Sequence, residues 1–366
     1  MNPLRTTWED IPEGVRRVFE KEVGGAVVAA SSQDGGFSSG GADRLLLADG
    51  RRLFAKSISR QRNPSTFELH RREASVVREL PASVPAPRLV TVVEQDEWLV
   101  VAFGDVDGRQ PRIEDTPAVL DMLGTLPPAD GLTGFPRLTD ELTPDASSWK
   151  RLVESGVVTR LDPWATTNID RLASAAAILP EVVDGDHLVH LDCRADNILI
   201  DEEARVWLVD WPWASIGAPW FDAVKYLLDV LVRNPDTNPQ LLLEHPVFRG
   251  ASAPAVDAVL AGLAASWTER LEEPAPEDMP TLRDSSGRKQ PRPFAGFGSA
   301  GLDRMTTGAN DSPVTATSYL GAQCAVDRVR ACRPDAAFSS SRDAAWVPSR
   351  RSCCSPPSRR CAAARS

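Results

Sequence analysis

Over the first hundred positions, apolar residues come in short runs broken by turn residues; beyond Gly104 they take helical spacing. Residues 8–22, WEDIPEGVRRVFEKE, place Trp, Ile, Val and Phe on one side of a short amphipathic helix. AVVAASS from Ala26 predicts a strand, and SQDGGFSSGGA a glycine-rich turn after it. DRLLLADGRRLFAKSIS reads as a hairpin closed at Asp49-Gly50, a residue pair suited to a tight turn. Thr66–Leu80 has helical periodicity, and PAPRLVTVVEQDEWLVVAF supplies two more strands turning near Gln95-Asp96. This first part is five strands and one main helix.

Past GDVDGRQP the spacing predicts helices over Pro117–Leu126, Trp149–Val158, Asn168–Leu179, Phe221–Val232 and Ala255–Leu271. Short strands fall near 187–191, 197–201 and 205–210. The expected architecture is α+β: a strand-rich small lobe, a connector near 103–108, and a mainly helical large lobe with a small sheet at its inner edge. The corresponding division is 1–23 for an N-terminal helix, 24–104 for the small lobe, 105–284 for the large lobe and 285–366 for an irregular tail. No internal repeat is visible.

Length and composition fit this picture. A chain of 366 residues with 42% hydrophobic content can bury two sizeable cores. No run is long enough to span a membrane and the N-terminus has no apolar signal core, so a cytoplasmic protein is expected. Five of six cysteines lie beyond residue 320, so a disulfide framework in the body is not expected. From Ser285 onward 13 Lys and Arg face 5 Asp; with −10 overall, residues 1–284 carry −18. An acidic body excludes nucleic acid as a partner, and no protein partner is implied.

The tail departs from the rest: after Glu277 glutamate vanishes, the charge inverts and periodicity stops. One reading is native disorder. The other is a frame shift. DSSGRKQPRPFAGFGSAG at 284–301, written in GC-rich codons and shifted by one inserted T, becomes DFQRQEAAAAVRWLRERR, a string of helix formers.

The candidate chemistry lies in HLVHLDCRADNILIDEEARVWLVDWPWAS, residues 187–215. Asp192 and Asn197 are five positions apart, and Asp210 ends the apolar strand VWLV. A strand–turn–strand can bring Asn197 and Asp210 to one point, which suits a hard cation such as Mg²⁺. Asp192 can then face whatever the cation holds. Phosphoryl transfer needs these parts, with Asp192 accepting a hydroxyl proton and Arg194 sharing the transferring charge. Polar residues of an ordinary loop are the alternative. In the first part, Lys56 ends the strand LFAK and is one of only five lysines. Glu73 has Leu69, Val76, Val77 and Leu80 at helical spacing, which turns it toward the sheet and Lys56. Glu68, followed by Arg71 and Arg72, belongs to the wet face. Gly35, Gly36 and Gly40, with Ser38 and Ser39, can bring backbone N–H groups to phosphates; a flexible hairpin loop is the other explanation. His187 and His190 form H-x-x-H without a third ligand, so His190 is expected to bond backbone near Asp210.

With these residues the chain resembles the aminoglycoside phosphotransferase family, small-molecule kinases with a protein-kinase-like fold. The resemblance rests on GGFSSG at 35–40, the LFAK lysine, RREASVVREL, HLDCRADN at 190–197, LVDW at 208–211 and WFDAVKYL at 220–227. It implies Asp192 as catalytic base, Asn197 and Asp210 as metal ligands, and Lys56 with Glu73 on the α/β-phosphates. It further implies Asp222 as a brace for the catalytic loop. The family more often has glycine where Leu191 stands. Activity, on this resemblance, is transfer from ATP or GTP, with Mg²⁺, to a hydroxyl of a small molecule. A non-catalytic nucleotide-binding protein, or a kinase impaired by a shifted C-terminus, is the rival.

Overall fold

The computed structural model describes residues 6–33, 40–161 and 163–272. The expectations for Gly35, Gly36, Ser38 and Ser39, and for the tail from 285, lie outside the described residues.

Proline splits the first predicted helix. A 3₁₀ turn at Trp8–Asp10 is followed, after Pro12, by α1 (Glu13–Val23), which closes on left-handed Gly24 at φ 68°. Proline has no N–H to give a helix and is tolerated only at its start. The buried side of α1, with Val15, Phe19 and Val23, packs on a five-stranded antiparallel sheet. Trp8 and Phe19 meet edge to face with centroids 5.1 Å apart.

The sheet comprises β1 (Val27–Ser32), β2 (Gly41–Leu47), β3 (Arg52–Ser59), β4 (Leu89–Gln95) and β5 (Trp98–Gly104), in the order β1-β2-β3-β5-β4. Gly50 at φ 88° closes the β2–β3 hairpin as expected. The β4–β5 turn is tighter in kind, with Asp96 and Glu97 both at positive φ, the backbone of a primed two-residue turn. Both faces of the sheet are covered. In β5, Val100 and Ala102 join the core beneath α1, whereas Leu99, Val101 and Phe103 join the core on the opposite side. This is why WLVVAF is uniformly apolar rather than alternating.

The opposite side carries α2 (Pro64–Glu79), whose N-cap Asn63 accepts a bond from Thr66 N at 2.8 Å. Its core runs without a break into the large lobe. At the connector, Asp105 is buried and held by Arg44 at 3.1 Å and Arg52 at 2.6 Å, fastening this segment to β2 and β3.

The large lobe contains β6 (Gly108–Arg109), α3 (Thr116–Leu123), α4 (Leu138–Leu142), α5 (Ser148–Glu154), α6 (Pro163–Thr167), α7 (Ile169–Ala177) and α8 (Leu179–Val182). It continues with β7 (His187–Val189), β8 (Ile198–Asp201), β9 (Val206–Leu208), β10 (Ser215–Gly217), α9 (Phe221–Arg233), α10 (Pro239–Leu243) and α11 (Ala253–Glu272). Trp149 of α5 is fully buried, and its indole N–H donates to Ala261 O of α11 at 2.9 Å. The three strands expected to form one small sheet divide between two. β8 and β9 pair as a hairpin with β6 on the other edge, whereas β7 pairs with β10. The residues between β7 and β8 are thereby freed from any ladder and form a loop.

Candidate active site

That loop begins at His190, fully buried at the end of β7. Its Nε2 lies 3.0 Å from Val209 O, and its Nδ1 lies 3.3 Å from Asp192 N. A carbonyl can only accept and an amide only donate, so Nε2 donates to Val209 O and Nδ1 accepts from Asp192 N. Its edge also meets Trp211, at 4.6 Å between centroids. One imidazole therefore ties the segment around Asp192 to the segment around Asp210.

Helix α9 holds the loop from below. Buried Asp222 accepts the N–H of His190 at 2.6 Å and of Leu191 at 3.0 Å. One turn on, Lys225 Nζ donates to Leu191 O at 2.7 Å, and Asp229 accepts the N–H of Ala195 at 3.1 Å. Burial pushes the Asp222 carboxyl above its usual value, against the two N–H bonds and the charge of Lys225. Cys193 is buried beside these carboxylates, and burial above all raises its thiol well above the usual range, so it is no nucleophile.

Within the loop, Asn197 Nδ2 donates to Asp192 O at 2.9 Å and to Asp192 Oδ2 at 3.0 Å. Both amide hydrogens are thus used on Asp192, and the orientation of the Asn197 amide is fixed. Its Oδ1 accepts no hydrogen bond from the described residues. Val209 N donates to Asn197 O at 3.0 Å, which brings the start of β8 beside the residue before Asp210. Arg194 makes a two-point pair with Asp196, both contacts at 3.0 Å, and its Nη2 reaches to 3.7 Å from Asp192 Oδ2.

From the small lobe, Lys56 Nζ reaches Glu73 Oε1 at 2.8 Å and Oε2 at 2.7 Å, and also Asp210 Oδ1 at 2.7 Å. Glu73 is the buried glutamate of α2; Glu68 is exposed and pairs with Arg60 instead. Burial drives the Glu73 carboxyl up to about 7, with Lys56 opposing the rise and Asp210 adding to it. Burial also works against the Lys56 ammonium, but the two carboxylates outweigh it and hold its pKa above the ordinary lysine value. Asp210 shifts the other way: against desolvation, the charge and hydrogen bond of Lys56 keep it below the usual carboxylate range. Asp210 is therefore the stronger acid of the pair that shares this lysine.

Two residues of the site have left-handed backbone, Leu191 at φ 67° and Asp210 at φ 68°. Aspartate tolerates this region; leucine adopts it only where surrounding contacts impose it. Gly40 stands at the entry to β2, next to Gly41, where a Cβ would run into the Ser57 side chain. Close approach of β2 to β3 thus accounts for the glycine at 41.

Among the described residues, no group of three or more His, Cys, Asp and Glu gathers as a metal site. Magnesium does not need one, because it keeps waters and substrate phosphates as ligands and takes one or two oxygens from protein. The fixed Asn197 Oδ1 and the Asp210 carboxylate are such hard oxygens, and they fit the ion.

The sequence model of the phosphotransferase enzyme family, APH, matches residues 36–273. The chain belongs to this family. It is a phosphotransferase acting on a hydroxyl group of a small molecule, and its fold is of the protein-kinase-like type. The phosphotransferase resembles in fold a thermostable mutant of aminoglycoside phosphotransferase APH(4)-Ia, solved in a ternary complex with ADP and hygromycin B. Identity is 14% over 87% of this chain and 100% of that one, with a TM-score of 0.51. A complex of the same enzyme with AMP-PNP and hygromycin B gives 15% identity over 87% and 100%, at a TM-score of 0.51. No curated protein sequence matches the phosphotransferase. No helix among its described residues is long and apolar enough to cross a membrane.

Sequence reasoning singled out Asp192, Arg194, Asn197, Asp210, Lys56, Glu73, His190 and Asp222, and the fold brings them into one connected region. It missed Lys225 and Asp229. The signal for Lys225 was the one used for Lys56, the scarcity of lysine. Asp229 gave none beyond its spacing from Asp222 on one helix.

Proposed function

We propose that the protein transfers the γ-phosphoryl group of ATP, or of GTP, to a hydroxyl of a small polar acceptor. The observation that carries this reading is the meeting of Lys56 and Glu73 from one lobe with Asp210 from the other, beside a loop in which Asn197 fixes Asp192. Phosphoryl transfer asks little covalent chemistry of a protein; it asks for positioning and for charge in the right places.

In this reading Asp192 takes the proton of the acceptor hydroxyl as its oxygen attacks phosphorus. Asn197 holds the Asp192 carboxylate through Oδ2, leaving Oδ1 to face the acceptor. Lys56, steadied by Glu73, grips the α/β-phosphates. Arg194, loosely within reach of Asp192, supplies positive charge near the transferring group. The residues that would hold Mg²⁺ are Asn197 and Asp210, and the bound ion would neutralise phosphate charge. Gly35, Gly36, Ser38, Ser39 and Gly40 would cover the phosphates with backbone N–H groups. His190 and Asp222 hold the loop's shape.

An aminoglycoside is the first acceptor to try, because residues 1–284 carry −18 and would favour a polycation. We divide the chain at 24–104 for the nucleotide lobe and 105–284 for the catalytic and acceptor lobe, and read it as a cytoplasmic enzyme because its co-substrate is ATP. The test is a panel of aminoglycosides, other sugars and amino alcohols with γ-labelled ATP and GTP. Label appearing in one acceptor, dependent on Mg²⁺ and lost in Asp192→Asn, is the expected result. Tight nucleotide binding with no transfer and no hydrolysis would favour the non-catalytic alternative.

A further inference from the structure

We infer that Lys225 is a positioning residue for the phosphotransfer: it locks the left-handed turn at Leu191 from which the base Asp192 projects. This rests on the reading of Asp192 as the base.

The case begins with the backbone. Leu191 precedes Asp192 and sits at φ 67°. A residue with a Cβ is strained there, because the Cβ crowds its own backbone carbonyl. Left alone, the peptide would relax toward negative φ and swing the next side chain away. Something must hold it, and the contacts show what. The Leu191 N–H is bound by Asp222 and its C=O by Lys225, at 3.0 Å and 2.7 Å. The two clamping residues are three apart on α9, so they project from one face of a single rigid element.

Lys225 is placed to act on the side chain as well. Its Nζ lies 3.8 Å from Asp192 Oδ1, while Asp192 Oδ2 takes the hydrogen bond from Asn197. Each carboxylate oxygen thus has its own positive or donating neighbour, and rotation of the group is disfavoured at both ends. The Lys225 side chain is only 11% exposed. A lysine buried to that extent costs solvation, which a surface ion pair would not require, and the carbonyl and carboxylate oxygens it meets offset that cost.

The experiment uses the full chain as wild type, Lys225→Met, Leu191→Gly and the double variant. Methionine keeps the length and apolar stem of lysine and removes the ammonium. Two quantities are read. One is amide hydrogen exchange over residues 188–197 in the nucleotide-free protein. The other is Mg·ATP consumption with water as acceptor, resolved into kcat and KM. Lys225→Met should lose protection across this segment. Its kcat should fall roughly 10–100-fold, the effect of misplacing a reacting group by about 1 Å, with KM for Mg·ATP within about twofold. Leu191→Gly in the Lys225→Met background should restore most of kcat, because glycine takes positive φ at no steric cost. Unchanged exchange in Lys225→Met, a rise in KM at constant kcat, or no recovery with Leu191→Gly would each overturn the proposal. If the wild type consumes no ATP while exchange still responds to Lys225→Met and recovers in the double variant, the turn-lock stands and the phosphotransfer reading fails instead.

Discussion

Lys56 on β3 and Asp210 beyond β9, 154 positions apart in sequence, meet at 2.7 Å across the cleft between the lobes. Glu73 holds the same ammonium from the other side. The contact joins the lysine expected on phosphate to the carboxylate expected on metal. On the proposed reading, bound nucleotide would compete for this contact, with phosphate oxygens on Lys56 and Mg²⁺ on Asp210. Four predictions follow from this geometry.

Asp192→Asn should lower kcat by about 10²–10⁴-fold, the usual worth of a general base. Asparagine can still offer a carbonyl oxygen to Asn197, so the loop keeps its shape. Nucleotide affinity, measured by calorimetry, should be nearly unchanged. Turnover equal to wild type would remove Asp192 from the mechanism.

Asp210→Ala should abolish the Mg²⁺ dependence of nucleotide binding, because Asn197 alone leaves the ion short of a hard protein ligand. Titration of ATP with and without Mg²⁺ checks this. An intact Mg²⁺ effect would place the ion elsewhere.

Lys56→Met and Glu73→Gln should not add. Lys56→Met leaves Glu73 buried without its counter-charge, and Glu73→Gln leaves Lys56 to Asp210 alone, so the double variant should cost less nucleotide affinity than the two singles together. Coupling within about 0.5–3 kcal/mol is expected for residues in direct contact. Strict additivity would contradict the 2.7 Å contact.

The nucleotide-free enzyme should become less stable as pH rises from about 5 to 7. The folded-state pKa of Glu73 is raised to about 7, above its unfolded value. Over this interval the folded chain holds a proton that the unfolded chain has released, so stability falls with rising pH. Asp210 acts in the opposite sense: its lowered pKa gives stability that is present at neutral pH and is lost as pH falls through the acid range. Melting temperatures from pH 4 to 8 for wild type and Glu73→Gln check this. The variant should lack the decline between 5 and 7; an unaltered slope would mean that another group causes it.

Much of the site was legible because its residues obey periodicity. Glu73 could be chosen over Glu68 from the helical positions of Leu69, Val76, Val77 and Leu80 alone. The D-x-x-x-x-N spacing at 192–197 likewise sufficed to pair Asp192 with Asn197, and the strand before Asp210 brings Val209 beside Asn197. The strands β6 and β10, of two and three residues, were not legible. They are too short to show a period and exist because β8 and β7 offer them an edge. The same absence hid the separation of β7 from β8, so one sheet was expected where there are two. Helices α4, α6, α8 and α10, of four or five residues, escaped for the same reason. Lys225 shared the rarity that marked Lys56, but what it binds is the backbone carbonyl of Leu191, which no side-chain pattern announces.

The wall of five strands is pressed from both sides, by α1 and Trp8 behind and by α2 and the large lobe in front. Among the described residues the two hydrophobic masses form separate clusters, with that wall between them. Evolution can therefore exchange the helices that recognise an acceptor while the rear mass keeps the strand bearing Lys56 in register.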